Sequence, residues 1–282
     1  MDVTSYPPPV DKLLTLGDGR KVGTNVKEWS IYLDLGLGPE HIPDLIRMAT
    51  DEELRWADSD MLEVWAPIHA WRALGQLRAE AAIEPLLSLL DEAEDGDDWV
   101  MEELPEVYGM IGPAAIPAIT GYIADENHLD WARITAIGCL EKIGTMHPDN
   151  RDTCVAILTR RLKLCEQDDP TINAFVISNL IDMRALEAAP AIERAFAADC
   201  VDLSIAGDWD DVQIELGLKS PVEILQERRS PLFDTSAHSL AEVRAVSPGL
   251  FSSEPARKRN VAHNKTRRKM VKQSRKKNRR RK

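Results

Sequence analysis

Apolar residues recur along the chain at the three- and four-residue spacing of amphipathic helices, and these helices come in pairs. One pair occupies about residues 62–90, and its pattern restarts at Trp99. The phrase that begins at Ala73 returns at Val107, an offset of 107 − 73 = 34 residues. A fixed offset between helix pairs predicts a solenoid, in which each pair buries its apolar face by stacking on its neighbour.

Four such pairs follow one another, which exceeds the three that a stable stack usually needs. Each first helix carries an apolar residue in the same phase, namely Leu74, Tyr108, Leu140 and Leu180. A fifth, incomplete pair is expected to begin at Trp209. The pattern therefore predicts an all-α fold, an α-α superhelix of about four to five helical hairpins.

The segments outside the repeats differ from them in composition. The first residues are rich in Pro and Gly, while the residues after about 220 are mixtures of Ser, Ala and Pro with no sustained apolar face. A short helix is expected at about 221–226. The predicted segments are an extended N-terminal arm (1–24), capping helices (25–61), the repeat solenoid (62–219), a disordered linker (220–256) and a basic tail (257–282).

Charge is distributed very unevenly, although the net charge is only −12. The stretch 256–282 contains no Asp or Glu and holds 15 of the 35 Lys and Arg residues. The rest of the chain therefore has 35 − 15 = 20 basic against 47 acidic side chains, or about −27. Such an asymmetry predicts an acidic folded part that carries a basic interaction tail.

The tail is the strongest indication of function in the sequence. Its cationic residues are Arg257, Lys258, Arg259, Lys265, Arg267, Arg268, Lys269, Lys272, Arg275, Lys276, Lys277, Arg279, Arg280, Arg281 and Lys282. Such a segment binds phosphate backbones through counterion release, so RNA or ribosomal RNA is the expected target. Two alternatives remain open: a tail that only confers solubility, and one that folds back onto the acidic body. An anionic membrane is less favoured because apolar anchors are missing from the tail.

Cysteine spacing and the N-terminal residues bear on compartment and cofactors. The four cysteines show no Cys-x-x-Cys spacing, which argues against a zinc site, and they are expected to be small buried thiols in a reducing compartment. The first residues have neither a basic start nor a long apolar run. We therefore expect a cytoplasmic protein that needs no metal or cofactor and does not insert into a membrane.

Three similar phrases follow the ends of the first helices, at residues 81–87, 114–119 and 188–192, and each begins Ala-Ala. In these phrases the chain resembles HEAT repeats, most of all the short type of the phycobilisome (PBS) lyase HEAT-like family. The resemblance covers about 40–218 and implies a HEAT-like solenoid. A tetratricopeptide pattern fits only once, at Trp71 to Gly75, and there Arg78 stands where a Tyr is expected.

HEAT-like proteins with enzymatic activity provide the alternative functions. Deoxyhypusine hydroxylases of this type use His-Glu pairs, but none of the six histidines here is followed by Glu. HEAT-like DNA glycosylases use a basic face, which an acidic body does not offer. The third class is the phycobilin lyases, and no residue marks a bilin site in this chain. We therefore favour a non-enzymatic protein-interaction scaffold, with a lyase-like enzyme or enzyme subunit as the alternative.

Tryptophans recur at the starts of the first helices, at Trp65, Trp99 and Trp131, and again at Trp209. One interpretation wedges each indole between consecutive helices, where it stiffens the stack. The other makes the indoles an edge ladder, flanked by Asp98 and Asp130, that binds a basic or aromatic protein partner. Acidic residues in front of these tryptophans also suit helix N-caps.

His69 falls off the predicted apolar stripe, so an exposed position is expected for it.

Overall fold

The computed structural model describes residues 6–22, 26, 29, 32–58, 60–95 and 98–229. Over these ranges the regular structure consists of α-helices and 3-10 helices, with no β-strand. Residues up to Leu218 group into one unit, and those from Lys219 onward into a second. The prediction of an all-α helical repeat fold is confirmed.

The α-helices follow the predicted pairs. In chain order they are α1 (Gly19–Val22), α2 (Ile42–Ala49), α3 (Glu52–Arg55), α4 (Ala66–Gln76), α5 (Ile83–Leu87), α6 (Asp98–Ile111), α7 (Ile116–Ala124), α8 (Asp130–Met146), α9 (Arg151–Leu162), α10 (Pro170–Asp182), α11 (Ala189–Ala197), α12 (Leu203–Ala206), α13 (Trp209–Leu216) and α14 (Pro221–Arg229). The four hairpins are α4 with α5, α6 with α7, α8 with α9, and α10 with α11. Short 3-10 turns precede the second helix of each hairpin.

The N-terminal residues 6–22 are not an extended arm, so that prediction is wrong for them. A 3-10 helix spans Val10–Thr15, and its Val10 and Leu13 are fully buried. The Tyr6 hydroxyl donates a 2.6 Å hydrogen bond to Asp51 at the start of α3. The apolar residues between the prolines and glycines thus provide enough buried surface to dock this segment on the stack.

The predicted capping region is only partly helical. Tyr32–Leu35 forms a 3-10 helix where a longer helix from Asn25 was expected, and several residues of 23–31 lie outside the described ranges. The next predicted helix is confirmed as the turn Pro39–His41 followed by α2. Asp51 caps α3 by accepting hydrogen bonds from the backbone nitrogens of Glu53 and Leu54.

The first helices of the hairpins pack side by side in the order α2, α4, α6, α8 and α10. From α4 onward these helices run parallel, because the starts of α4 and α6 meet at Trp65 and Trp99 and the C-terminal ends of α4, α6 and α8 meet in the same order. At the C-terminal ends, a Cβ placed on Gly75 would lie 2.5 Å from Cε of Met110, and one on Gly109 would lie 2.8 Å from Sδ of Met146. Glycine therefore lets consecutive helices approach closely.

The turn inside the hairpin contains a residue with positive φ in three of the four units. Arg78, Gly112 and Arg184 all have positive φ, at 51°, 96° and 53°. They lie four residues after Leu74, Tyr108 and Leu180, which confirms the repeat register. The third unit differs because α8 continues to Met146 before the chain turns at His147.

The acidic stretch after α5 is helical up to Asp95. Residues Ser88–Asp95 form a 3-10 helix, and α6 begins at Asp98. Helix α6 then continues through Pro105, where a kink is predicted from the missing backbone donor. Pro105 faces the next first helix, since a Cβ on Gly138 would lie 3.5 Å from its Cγ.

Helix α14 belongs to the second unit and confirms the short helix expected after residue 220. Its start is capped by Ser220, whose hydroxyl and backbone nitrogen both donate to the Glu223 carboxylate at 2.8 and 2.7 Å. Lys219 and Glu227 form an ion pair at 2.7 Å. Residues 230–282, which include the predicted basic tail and most of the predicted linker, lie outside the described ranges.

None of the helices in the described ranges is, taken singly, both long and apolar enough to cross a membrane. The segments Trp99–Ile111 and Pro113–Ala124 are long and apolar enough only when they are counted together, and the chain bends by 111° between them.

Candidate protein-binding edge

The predicted tryptophans lie where the first helices begin. Trp65 precedes α4, Trp99 and Trp131 are the second residues of α6 and α8, and all three are half-buried. Because these helices are parallel, their starts share one edge of the stack. We call the edge formed by Trp65, Trp99 and Trp131 the tryptophan edge.

Ring contacts along this edge join consecutive repeats. Trp65 and Trp99 meet edge-to-face with ring centroids 5.4 Å apart. Trp131 meets Phe175 of α10 in the same geometry at 5.7 Å. Each indole also packs against the core. The interpretation that these indoles are wedged between helix starts is confirmed, and the part that remains exposed is what a partner could contact.

Trp209 does not extend this row of contacts in the same way. It begins α13 and packs on Phe196 of α11 with a centroid distance of 6.0 Å. Asp208 in front of it is an N-cap that accepts from the Asp211 nitrogen, and Asp211 accepts in return from the Asp208 nitrogen. The acidic start of α13 is therefore a capping box, as the helix interpretation predicted.

Of the two aspartates of the predicted site, Asp130 is not a helix cap. Asp130 is the first residue of α8, whose N-cap is Leu129, and no side-chain capping bond is formed there. Burial, followed by repulsion from Asp169, raises the pKa of Asp130. The N-cap interpretation is thus wrong for Asp130. Asp98 begins α6, next to Trp99.

Exposed apolar side chains flank the tryptophan edge. Leu62 precedes Trp65, Leu129 precedes Trp131, and each is more than half exposed. Leu203 is similarly exposed, and its neighbour Asp202 is tied to the start of α10 by a 3.1 Å backbone hydrogen bond to Pro170.

One cation of the chain already contacts this edge. The guanidinium of Arg20 lies 5.2 Å from the centroid of the Trp65 ring. Arg20 is itself held by Asp18 through an ion pair of 2.7 Å, and its side chain is 63% exposed. A guanidinium over an indole face is favourable because the ring quadrupole attracts the positive charge.

Behind the edge, α4 and α6 are joined by a buried ion pair that the sequence pattern did not reveal. Arg72 of α4 donates from Nε at 2.7 Å and from Nη2 to the two carboxylate oxygens of Glu103 in α6. The Arg72 and Glu103 side chains are 0% and 7% exposed. Trp71 adds a 3.2 Å hydrogen bond from Nε1 to the same carboxylate. A buried pair of this kind holds two repeats in one register.

A second buried cluster joins α8 to α10. Asp168, just before α10, accepts a 2.7 Å hydrogen bond from Nη2 of Arg133 in α8 and a further one from Arg161 of α9. Arg133 also donates from Nε to the Ile123 carbonyl at 3.1 Å. Oδ2 of Asp168 and Nε of Arg161 are buried without a hydrogen-bond partner among the described residues.

The expectation that His69 is exposed is wrong, because the N-terminal segment covers it completely. Its Nε2 donates to the Gly17 carbonyl at 2.8 Å, which leaves Nδ1 to accept from the Tyr32 hydroxyl at 2.9 Å. Burial lowers the pKa of His69 to about 4. The ring is therefore neutral at pH 7 and serves as a structural link.

The remaining predictions concern metal binding, the basic tail and the cysteines. In the part of the chain that the structure describes, no three His, Cys, Asp or Glu side chains are placed to hold a metal ion. The cationic tail from Arg257 to Lys282 lies beyond that part, so its binding to RNA stays a prediction. Cys139, Cys154 and Cys165 are buried as expected, whereas Cys200 is half-buried.

Comparison with known proteins connects this architecture to one family of repeats. The family model of the PBS lyase HEAT-like repeat matches residues 69–92, from the middle of α4 to the turn that follows α5. Comparisons with curated proteins and with solved structures gave no match. The hairpin of α4 and α5 thus matches a PBS lyase HEAT-like repeat, and the stacked helical hairpins beside it are consistent with a HEAT-repeat protein.

Proposed function

We propose that the chain is a non-enzymatic interaction scaffold whose tryptophan edge binds a basic protein segment and whose C-terminal tail binds RNA. The helical stack supplies a rigid support, because buried ion pairs and ring contacts fix each repeat against the next. The partner's expected chemistry is a segment that presents Arg or Lys together with apolar side chains.

The observation that carries this proposal is the contact between Arg20 and Trp65. It is an example within the chain of the interaction that a partner would make with the neighbouring indoles. Trp99 lies 5.4 Å from the Trp65 ring, so a second cation placed beside Arg20 would reach it. The exposed Leu62 and Leu129 would contact the partner's apolar side chains.

Charge supports both halves of the proposal. Outside 256–282 the chain carries an excess of about 27 negative charges, which attracts a basic partner and accelerates its association. The tail has 15 cationic residues and no acidic one, so it attracts anions such as a phosphate backbone. One chain would then hold a protein partner near RNA.

RNA binding is tested by comparing the full chain with a chain that ends at Pro255. We expect the full chain to bind single-stranded RNA and to lose about 10³-fold or more in affinity between 50 and 200 mM salt. A full chain with the residues of 257–282 in scrambled order is the matched control and should bind equally well. RNA binding that survives removal of the tail, or that does not depend on salt, would contradict the proposal.

Binding at the tryptophan edge is tested with a fluorescent peptide rich in Arg and Leu. The variant Trp99→Ala is expected to weaken peptide binding about tenfold, the size of one aromatic contact. Trp209→Ala is the control, because Trp209 packs on Phe196 instead of on the Trp65 and Trp99 pair. Equal losses in both variants would show that the edge is not the binding surface.

The same peptide separates a partner from the chain's own tail. If the tail occupies the edge, a chain that ends at Pro255 binds the peptide more tightly than the full chain does. If the tail is engaged elsewhere, removing it leaves peptide affinity unchanged, and the edge belongs to another protein.

A further inference from the structure

Two of the four cysteines come together at the C-terminal end of the stack, far apart in sequence. Cys165 begins a 3-10 turn between α9 and α10, and it is buried. Cys200 follows α11 and is half-buried. The sequence gives no hint of this pairing, because the two cysteines belong to different hairpins.

One side chain holds the two cysteine segments together. Nδ2 of Asn173, in the first turn of α10, donates to the Cys165 carbonyl and to the Cys200 carbonyl, each at 2.9 Å. The backbone of Asp202 is fastened to the same place by its 3.1 Å hydrogen bond to the Pro170 carbonyl. Both cysteines are therefore anchored at the start of α10 by backbone contacts.

The Asn173 bridge makes the two cysteines neighbours in the folded chain. Burial raises the pKa of Cys165, and a side-chain hydrogen bond to Cys200 and the charge of that thiol raise it further. Cys200 is oriented by a 3.3 Å hydrogen bond from its Sγ to the Ala198 carbonyl. The other two cysteines differ, since Cys139 and Cys154 are fully buried. Cys200 is thus the member of the pair that an oxidant can reach from solvent.

We propose that Cys165 and Cys200 form a reversible disulfide when the protein meets a hydroperoxide. The Cys200 thiolate attacks the peroxide oxygen, which gives a sulfenic acid on Cys200 and releases an alcohol or, from hydrogen peroxide, water. The Cys165 thiolate then attacks the sulfenic sulfur, so that the S–S bond forms and the hydroxyl leaves as water. Two thiols lose two electrons in total, and the peroxide O–O bond accepts them.

The disulfide would act on the stack as a clamp. It would join the turn before α10 to the turn after α11 and so enclose the whole fourth hairpin. A disulfide between residues 165 and 200 restricts the unfolded chain more than the folded one, because Asn173 already holds both cysteine segments together in the folded state. Oxidation should therefore stabilise the C-terminal repeats and leave the tryptophan edge in place.

The experiment uses the full chain, reduced and then exposed to hydrogen peroxide under native conditions. Remaining thiols are blocked with an alkylating reagent, and the protein is digested without reductant for mass spectrometry. We expect a peptide that links Cys165 to Cys200, its loss after treatment with dithiothreitol, and Cys139 and Cys154 still as thiols. The melting temperature of the oxidised chain is expected to be several degrees higher, with recovery on reduction.

Two variants make the result specific. Cys200→Ser should abolish the linked peptide and the rise in melting temperature, whereas Cys154→Ser, the control, should retain both. The proposal is overturned if peroxide converts Cys200 to a sulfinic acid while Cys165 stays a thiol. It is equally overturned if the linked peptide appears only after the chain has been unfolded, because the contact would then not exist in the native stack.

Discussion

The junction between α4 and α6 and the junction between α8 and α10 use the same parts with a different charge balance. Each has one aromatic contact between neighbouring helices, Trp65 with Trp99 or Trp131 with Phe175. Each also contains a buried arginine, Arg72 or Arg133. At the first junction Arg72 meets one carboxylate, that of Glu103, in a two-pronged contact. At the second, Arg133 and Arg161 share the single carboxylate of Asp168.

This difference shows how much of a repeat can vary while the stacking is preserved. At the first junction the contact is complete: Nε and Nη2 of Arg72 donate hydrogen bonds to both carboxylate oxygens of Glu103. The second keeps unsatisfied atoms, Oδ2 of Asp168 and Nε of Arg161. A buried charge that loses its partner destabilises the fold. Removing one partner should therefore lower the free energy of unfolding more at the first junction than at the second.

The largest effect is expected from Glu103→Ala. It leaves the Arg72 guanidinium buried with no counter-charge from Glu103, which costs about 3–5 kcal/mol of the free energy of unfolding. Chemical denaturation would measure it. Glu103→Gln is the matched control, because it keeps the shape and one acceptor and should cost clearly less. A Glu103→Gln variant that is as stable as the original chain would mean that packing, not charge, holds this junction.

The second effect is a loss of stability in acid that comes from His69 in α4, the helix that also carries Arg72 of the first junction. His69 in α4 has a pKa of about 4 in the folded chain and an ordinary value of 6.5 when unfolded. The unfolded chain therefore binds the extra proton between these values, so this contribution is complete above pH 6.5 and is lost as pH falls towards 4. At about 1.4 kcal/mol for each pKa unit, the loss is roughly 3 kcal/mol.

Denaturation midpoints measured from pH 7.5 to 4 would test this, with His69→Gln as the comparison. The variant is expected to be less stable at pH 7 but to lose less stability over this pH range. Parallel curves for the two chains would show that carboxylates alone govern the acid response.

The smallest of the three effects is expected from Asp168→Asn, about 2 kcal/mol. The amide keeps the shape of the carboxylate, and Arg133 retains its hydrogen bond to the Ile123 carbonyl. Arg161 is more accessible than Arg72, so part of its charge can be solvated. Thermal and chemical unfolding would check the value. If Asp168→Asn costs more than Glu103→Ala, the comparison between the two junctions is reversed.

The sequence predicts the fold well because the fold depends on periodicity. The phase of Leu74, Tyr108 and Leu180 locates three hairpin turns, each with positive φ four residues later. The tryptophan positions were also predictable, since a large residue at the start of each first helix must lie between neighbours. The docking of residues 6–22 was not, because Pro and Gly obscured the few apolar residues that anchor it.

The buried polar contacts could not have been predicted from periodicity. Arg72 lies directly beside the apolar stripe, and its side chain could have pointed to solvent if Glu103 were absent from the next repeat. His69 looked exposed because its cover comes from Gly17, 52 residues earlier in the chain. Such contacts depend on which repeat stands next to which, and a single-helix pattern does not contain that information.

The contact between glycine and methionine gives the stack a direction. Gly75 receives Met110 of the following repeat, and Gly109 receives Met146 of the one after it. The middle repeat therefore gives a methionine to the repeat before it and a glycine to the repeat after it. Two copies of such a unit can be joined only head to tail. A duplicated copy of the middle repeat would therefore present a methionine to the repeat before it and a glycine to the repeat after it, as the array requires.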